Sequence, residues 1–142
     1  MDPRLILFPA VAMFFLTFSV ILRLGLARYL AIRSRAVSIK FFRTYDEGDQ
    51  PARLHLLSRH VQNHFEVPPL FYVGVLLAFV AGAVSPASVV FAWSFFALRC
   101  LHTYIHLGSN NVSVRFFTFG ASLIALAGLW GCLLVELIQT AV

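Results

Sequence analysis

Four long apolar stretches account for most of this 142-residue chain, and each is long enough to cross a bilayer. We place them at about residues 5–31, 53–82, 87–107 and 113–140. A helix needs about 20 apolar residues to span the hydrocarbon core, because each residue advances it by only about 1.5 Å. Backbone polar groups inside a bilayer must be paired within the protein, which favours helices. The pattern predicts an all-α integral membrane protein, a four-transmembrane-helix bundle forming one domain over residues 1–142.

Composition excludes a water-soluble domain. About 60% of the residues are hydrophobic and 12% are charged, whereas soluble domains usually carry about a quarter charged residues. The formal charge of +5 does not indicate a nucleic-acid partner, because most of the cations lie between Arg23 and Arg59, beside predicted spans. The first apolar run lacks a small-residue cleavage site and exceeds the length of a signal sequence, so we interpret it as a retained span within membrane lipids.

The distribution of basic residues predicts the orientation. The linker between the first and second spans holds more Lys and Arg than any other loop, together with the acidic cluster Asp46, Glu47 and Asp49. Arg99 and Arg115 flank the turn between the third and fourth spans, whereas the turn between the second and third carries no charge. Because cytoplasmic loops are enriched in Lys and Arg, both termini are expected to lie away from the cytoplasm.

Short breaks divide the apolar runs. Pro68 and Pro69 lie inside the second span and predict a kink, because proline cannot donate the helical hydrogen bond. The segments "SPAS" at 85–88 and "GSNN" at 108–111 predict tight turns.

The second span begins with a polar stripe. Arg59, Asn63 and Glu66 are spaced i, i+4 and i+7, which places them on one face of a helix. An acidic side chain gains nothing from anionic lipid headgroups, so Glu66 needs a partner, and Arg59 or Arg99 could supply it. This stripe is therefore expected to face protein.

The third and fourth spans bring further polar groups to the same depth. Arg99, His102 and His106 form a second stripe, and Arg115 opens the fourth span. With the predicted topology, all of these residues lie toward the cytoplasmic end. Ionisable groups cost about 2.5–3.5 kcal/mol each at membrane depth and usually face a bundle interior or a cavity. The sequence therefore predicts a polar pocket suited to a zwitterionic, carboxylate-bearing ligand, with lipid access for an apolar co-substrate.

These motifs resemble one known family. "RHVQNHFE" has the pattern R-x3-N-x2-E, "LRCLHTYIHLG" is similar to an R-x2-H-T segment, and Arg115 follows at the start of the last span. Together with the four-span pattern they resemble the MAPEG family, the membrane-associated proteins of eicosanoid and glutathione metabolism. The resemblance covers most of the chain. It implies a homotrimer with glutathione as co-substrate, bound between neighbouring subunits near the cytosolic face.

The resemblance also implies residue roles. Arg115 corresponds to the arginine that stabilises the glutathione thiolate in catalytic members, and Arg33 and Arg28 are both candidates for an arginine from the first span. The residues implied or considered for glutathione binding are Arg59, Asn63, Glu66, Arg99, His102 and His106. The implied activity is a microsomal-glutathione-transferase-like transfer of glutathione to lipophilic electrophiles, with peroxide reduction as a further possibility. A bacterial inner membrane is the expected location.

Two positions depart from the family pattern. His106 stands where many catalytic members carry a tyrosine, and Phe116 stands where some carry a hydroxyl side chain. The polar contacts to the ligand can therefore differ. A non-catalytic, lipid-binding scaffold with the same pocket is the main alternative to the transferase.

A metal or haem protein and a pore-forming subunit are weaker alternatives. His60 and His64, and likewise His102 and His106, have the i, i+4 spacing that places two imidazoles on one face. Arginines beside His102 would repel a cation, however, and no cysteine or second carboxylate completes a ligand set, so no metal is expected. A conducting pore would need polar residues along its length, which the fourth span lacks.

Overall fold

A computed structural model describes residues 1–44 and 50–141, and the regular secondary structure of these residues is entirely helical. A short 3₁₀ turn, Pro3–Ile6, leads into the first helix. The helices are α1 (Leu7–Arg33), α2 (Phe41–Thr44), α3 (Ala52–Glu66), α4 (Pro68–Val80), α5 (Pro86–Leu107) and α6 (Val112–Ala141). The acidic cluster predicted for the first linker, Asp46, Glu47 and Asp49, lies outside the described residues.

Four helical segments are long and apolar enough to cross a membrane. They are Pro3–Arg33, Ala52–Val80, Pro86–Leu107 and Val112–Thr140. Large apolar side chains are exposed along their outer faces, as expected where lipid or a neighbouring subunit provides the surroundings. The predicted all-helical fold with four membrane-spanning segments is confirmed.

The second span is broken where the sequence predicts a kink. Helix α3 ends at Glu66 and α4 begins at Pro68, with Val67 between them at φ −103°. Pro68 and Pro69 have no N–H, so the two carbonyls one turn earlier lose their helical donors. The span ends at Val80 rather than at the expected residue 82, because Gly82 adopts a left-handed backbone conformation with φ +67° that stops the helix.

Close side-chain packing holds α4, α5 and α6 together away from the polar residues. The rings of Phe71 and Phe95 stack with their centroids 4.5 Å apart, and both side chains are fully buried. The Trp130 indole of α6 donates a hydrogen bond to the Leu70 carbonyl of α4 at 3.2 Å. Gly74 accommodates this ring, since a Cβ there would lie 3.0 Å from the indole nitrogen. These contacts fix the relative positions of the helices whose other ends carry the polar side chains.

Candidate functional site

A cavity of about 330 Å³ lies at one end of the bundle, between the start of α3, the end of α5 and the start of α6. This volume is at the lower end of the range for small-molecule sites, about 300–1,000 Å³. Its lining residues are Ala52, His55, Leu56, Arg59, Asn63, His102, His106, Val112, Arg115, Phe116 and Phe119. The three helices thus contribute cationic, amide, imidazole and aromatic groups to one space.

The structure brings most of the sequence-predicted site residues to this cavity. The predicted residues that line it are Arg59, Asn63, His102, His106 and Arg115. Arg99 and Glu66 do not line it. Their placements differ from each other, because Arg99 is buried behind the cavity wall and Glu66 is exposed on the surface of α3.

The turn between α5 and α6 positions Arg115. Asn110 adopts a positive φ of 50°, and its side-chain oxygen accepts a 2.8 Å hydrogen bond from the Arg115 guanidinium. Asn111 caps the start of α6, since its side-chain oxygen accepts from the Val114 backbone N–H. Gly108 is required in the same turn, because a Cβ there would lie 2.8 Å from the Tyr104 carbonyl. The predicted "GSNN" turn therefore both starts α6 and orients Arg115.

Arg99 does not line the cavity but is buried between the helices that form it. Its side chain is fully buried, and its guanidinium donates a 2.9 Å hydrogen bond to the Asn63 backbone carbonyl, one turn before the break in the second span. The guanidinium also lies over the Phe119 ring, 5.4 Å from the centroid. Arg99 thereby connects α5 to α3 and α6. Among the described residues no direct ion pair joins Glu66 to Arg99, but the Glu66 carboxylate lies near enough to interact with the Arg99 charge.

The buried face of α3 carries histidines that contact α5. His60 Nε2 lies 3.1 Å from the Thr103 hydroxyl, and His64 is within hydrogen-bond distance of both Thr17 and Thr103, at 3.0 and 3.4 Å. Thr103, the threonine of the R-x2-H-T segment, therefore has a structural role that sequence spacing did not assign. Asn110 was also missed, because a turn motif does not show which side chain its asparagines contact.

The first-span arginines do not line the cavity. The Arg28 guanidinium lies over the Phe42 ring, 5.5 Å from its centroid, and Arg33 is exposed at the end of α1. These positions favour neither arginine over the other, so both remain candidates for a contribution from the first span.

Comparison with family models shows which family the chain belongs to. The model of the MAPEG family matches residues 6–135, nearly the whole chain. The chain belongs to the MAPEG family. No curated protein and no solved structure matches it. Family membership together with the four apolar helices makes this MAPEG protein an integral, multi-pass membrane protein.

The side chains of the cavity suit a polar, anionic ligand. The guanidinium groups of Arg59 and Arg115 can bind a carboxylate or another anion. Asn63 offers both a donor and an acceptor to a peptide group. Phe116 and Val112 provide an apolar wall that is largely exposed at the bundle surface. One cavity therefore combines charged and amide groups with an apolar wall.

Proposed function

We propose that this MAPEG protein is a glutathione-dependent membrane transferase that conjugates glutathione to lipophilic electrophiles entering from the bilayer. The observation that carries the proposal is the position of Arg115. Its guanidinium lines the same cavity as Arg59 and Asn63, and the adjacent residue of α6, Phe116, is an exposed aromatic wall. An anionic sulfur beside Arg115 would thus meet an apolar substrate at the cavity entrance.

The chemical step is a nucleophilic displacement by the glutathione thiolate. Arg115, oriented by Asn110, stabilises the sulfur anion, so the thiol proton is released to solvent when glutathione binds. The sulfur then forms a bond to the electrophilic carbon, and the bond to the leaving group breaks with its electron pair. The binding groups of α3 hold the tripeptide so that the sulfur remains next to the entrance.

His106 defines how this site differs from that of tyrosine-containing members. Its imidazole lines the cavity and is almost fully buried. A neutral imidazole offers one donor and one acceptor, whereas a phenol offers a hydroxyl farther from the backbone. We therefore propose that His106 contacts the tripeptide backbone and that Arg115 alone stabilises the thiolate. Peroxide reduction by the same thiolate belongs to this proposal.

The homotrimer is part of the same proposal. Glu66 is exposed and lies outside the cavity of its own chain, although it is on the α3 stripe that carries Arg59 and Asn63. A neighbouring subunit packed on this face would allow Glu66 to contact glutathione bound at the adjacent chain. We further propose a bacterial inner membrane location, with both termini away from the cytoplasm.

Glutathione binding and turnover of a halonitrobenzene by purified protein test the function. Wild-type protein should bind glutathione and release the conjugate, whereas Arg115→Ala should lose about 10²–10³-fold in kcat, the usual effect of removing one group that stabilises an anion. Arg53→Ala is the matched control, because Arg53 is an exposed arginine at the same end of α3 that does not line the cavity.

The outcomes separate the candidate functions. Binding without turnover of any electrophile or peroxide would favour the non-catalytic scaffold. Absence of glutathione binding in folded protein would contradict the transferase. Equal activity of Arg115→Ala and wild type would exclude the proposed role of Arg115.

A further inference from the structure

Three histidines from two helices converge beside the cavity. His60 of α3 faces His102 and His106 of α5, and one ring nitrogen from each lies within 4.8 Å of those of the others. The ring centroids are 4.8 Å apart for His60 and His106, 5.6 Å for His102 and His106, and 6.0 Å for His60 and His102. All three side chains are at most 2% exposed. This triad pairs His60 with α5, a combination that spacing along a single helix does not reveal.

The triad contains ring nitrogens without a protein partner. His60 Nε2 contacts the Thr103 hydroxyl at 3.1 Å, but His60 Nδ1, both nitrogens of His102 and Nδ1 of His106 have no hydrogen-bond partner in the described protein. A buried polar group without a partner destabilises the folded protein. His64 is different, because each of its nitrogens lies near a threonine hydroxyl. The unpartnered nitrogens therefore indicate a ligand that interacts with several imidazoles at once.

The spacing agrees with coordination of one metal ion. Zinc–nitrogen bonds of about 2.0–2.1 Å in a tetrahedral site place the ligand nitrogens about 3.4 Å apart and the ring centroids about 5.2 Å apart. The observed centroid separations of 4.8, 5.6 and 6.0 Å lie on both sides of that value. The ligand nitrogens already lie within 4.8 Å of one another, so coordination would require them to approach by rotation of the imidazoles.

We propose that His60, His102 and His106 bind a divalent first-row transition-metal ion of the zinc type. Neutral imidazoles suit zinc, copper, cobalt and nickel, whereas magnesium and calcium require oxygen ligands that this triad does not offer. The contact of Thr103 with His60 Nε2 leaves Nδ1 to face the ion, in the manner of an outer-shell group that orients a ligand. Since His102 and His106 also line the cavity, the remaining coordination position opens toward it.

The arginines near the triad determine the character of this site. Arg99 is buried one helical turn before His102, and Arg59 and Arg115 line the same cavity. Their positive charge lowers the affinity for a dication and favours an anionic fourth ligand, such as hydroxide or a small carboxylate. The metal site goes beyond the proposed transferase and does not require glutathione to bind.

Cobalt(II) titration of the purified, chelator-treated protein in detergent tests the site directly. Tetrahedral cobalt gives an intense visible absorption band, so wild-type protein should develop that band with one equivalent per chain and lose it on addition of zinc. His60→Gln removes one ligand without altering a residue that lines the cavity, and it should weaken cobalt binding at least about 100-fold. His55→Gln and His64→Gln should retain the band, because His55 is exposed and His64 already has hydroxyl contacts.

The proposal would be overturned if folded wild-type protein binds no cobalt or zinc, or if His60→Gln binds cobalt as tightly as wild type. The mass and melting temperature of each variant in detergent show whether it is folded. Glutathione binding to His60→Gln is measured in parallel. In His60→Gln, retained glutathione binding with lost cobalt binding supports both proposals. In the wild type, cobalt binding without glutathione binding overturns only the transferase.

Discussion

At the scale of single residues, the site depends on how each charge is held. Arg115 is oriented by Asn110 and lines the cavity, whereas Arg99 is buried behind it and donates to a backbone carbonyl. Both are arginines in a membrane-spanning protein, but only Arg115 is placed to contact a ligand. The two guanidinium groups have different hydrogen-bond partners, so we expect substitution of Arg115 and substitution of Arg99 to affect function differently.

Asn110 is predicted to act as a positioning residue for Arg115. Asn110→Gly removes the accepting side chain but keeps a residue that tolerates the positive φ of 50°. A hydrogen bond to a charged group is worth about 1.5–3 kcal/mol, so kcat for conjugation should fall about tenfold or more. Steady-state kinetics measure this effect, with glutathione KM changed much less.

Two further variants distinguish positioning from a general loss of structure. Asn110→Asp retains an acceptor for Arg115 and should restore most of kcat. Asn111→Ala removes only the cap of α6, so it should lower thermal stability by about 1 kcal/mol with kcat nearly unchanged. A normal kcat for Asn110→Gly would show that Arg115 does not need this contact.

Residue types and spacing predicted most of the polar side chains that line the cavity, but not its apolar wall or every contact. Arg59, Asn63 and His102 were predicted from their helical stripes, and the structure places all of them at the cavity. The environment of Arg99 was not predictable, because its acceptor is a backbone carbonyl and any residue could supply one. The convergence of His60 with α5 depends on the rotation of one helix against another, which a single sequence does not determine.

At the scale of the helices, hydropathy and proline account for the main features. The spans follow from apolar length, because a single helix satisfies the backbone hydrogen bonds of its own segment in lipid. The break at Val67 follows from Pro68 and Pro69, which remove two helical donors. The end of α4 was less predictable. The sequence is equally consistent with Gly82 as a packing residue and with Gly82 as the left-handed turn residue that the structure shows.

Glycines of α6 give a matched test of helix packing. A Cβ at Gly128 would lie 2.5 Å from the Phe91 ring, whereas a Cβ at Gly120 meets nothing within 4 Å in the same chain. Gly128→Ala should therefore destabilise the protein by about 1–3 kcal/mol through overpacking. Gly120→Ala should be neutral or stabilising by up to about 1 kcal/mol, because alanine is the better helix former.

Circular dichroism of both variants, recorded as they unfold in detergent, measures the difference in their stability. If Gly128→Ala is as stable as Gly120→Ala, the contact between α5 and α6 at Phe91 is not as close as the structure gives it.

At the scale of the whole molecule, the proposed trimer requires a residue from a second copy at each site. Arg115→Ala and Glu66→Ala chains should each be inactive alone at low glutathione concentration. Coexpression of the two variants should restore activity. A site that takes Arg115 from one chain and Glu66 from its neighbour is intact in about a quarter of random pairings. Conjugation by purified mixed oligomers measures this recovery, and its absence would show that Glu66 does not act on a neighbouring site.

The predicted orientation is tested by cysteine labelling. With Cys100 and Cys132 replaced by alanine, single cysteines are introduced by Ala87→Cys, in the first turn of α5, and by Ser34→Cys, at the end of α1. In right-side-out bacterial membrane vesicles, an impermeant maleimide should label position 87 and not position 34, because the basic linker is expected inside. The reverse pattern would place the cavity on the opposite side of the membrane.

We propose that the polar ends of α3, α5 and α6 form one glutathione site in which Arg115 stabilises the sulfur anion. Glutathione is mixed rapidly with purified protein, and the ultraviolet absorbance of the thiolate is recorded. This measurement tests the proposed role of Arg115. We expect thiolate absorbance to appear with wild type and with Arg53→Ala, and to be lost with Arg115→Ala of equal thermal stability. No thiolate signal in the wild type, or an equal signal in Arg115→Ala, would show that Arg115 does not stabilise a glutathione thiolate in this protein.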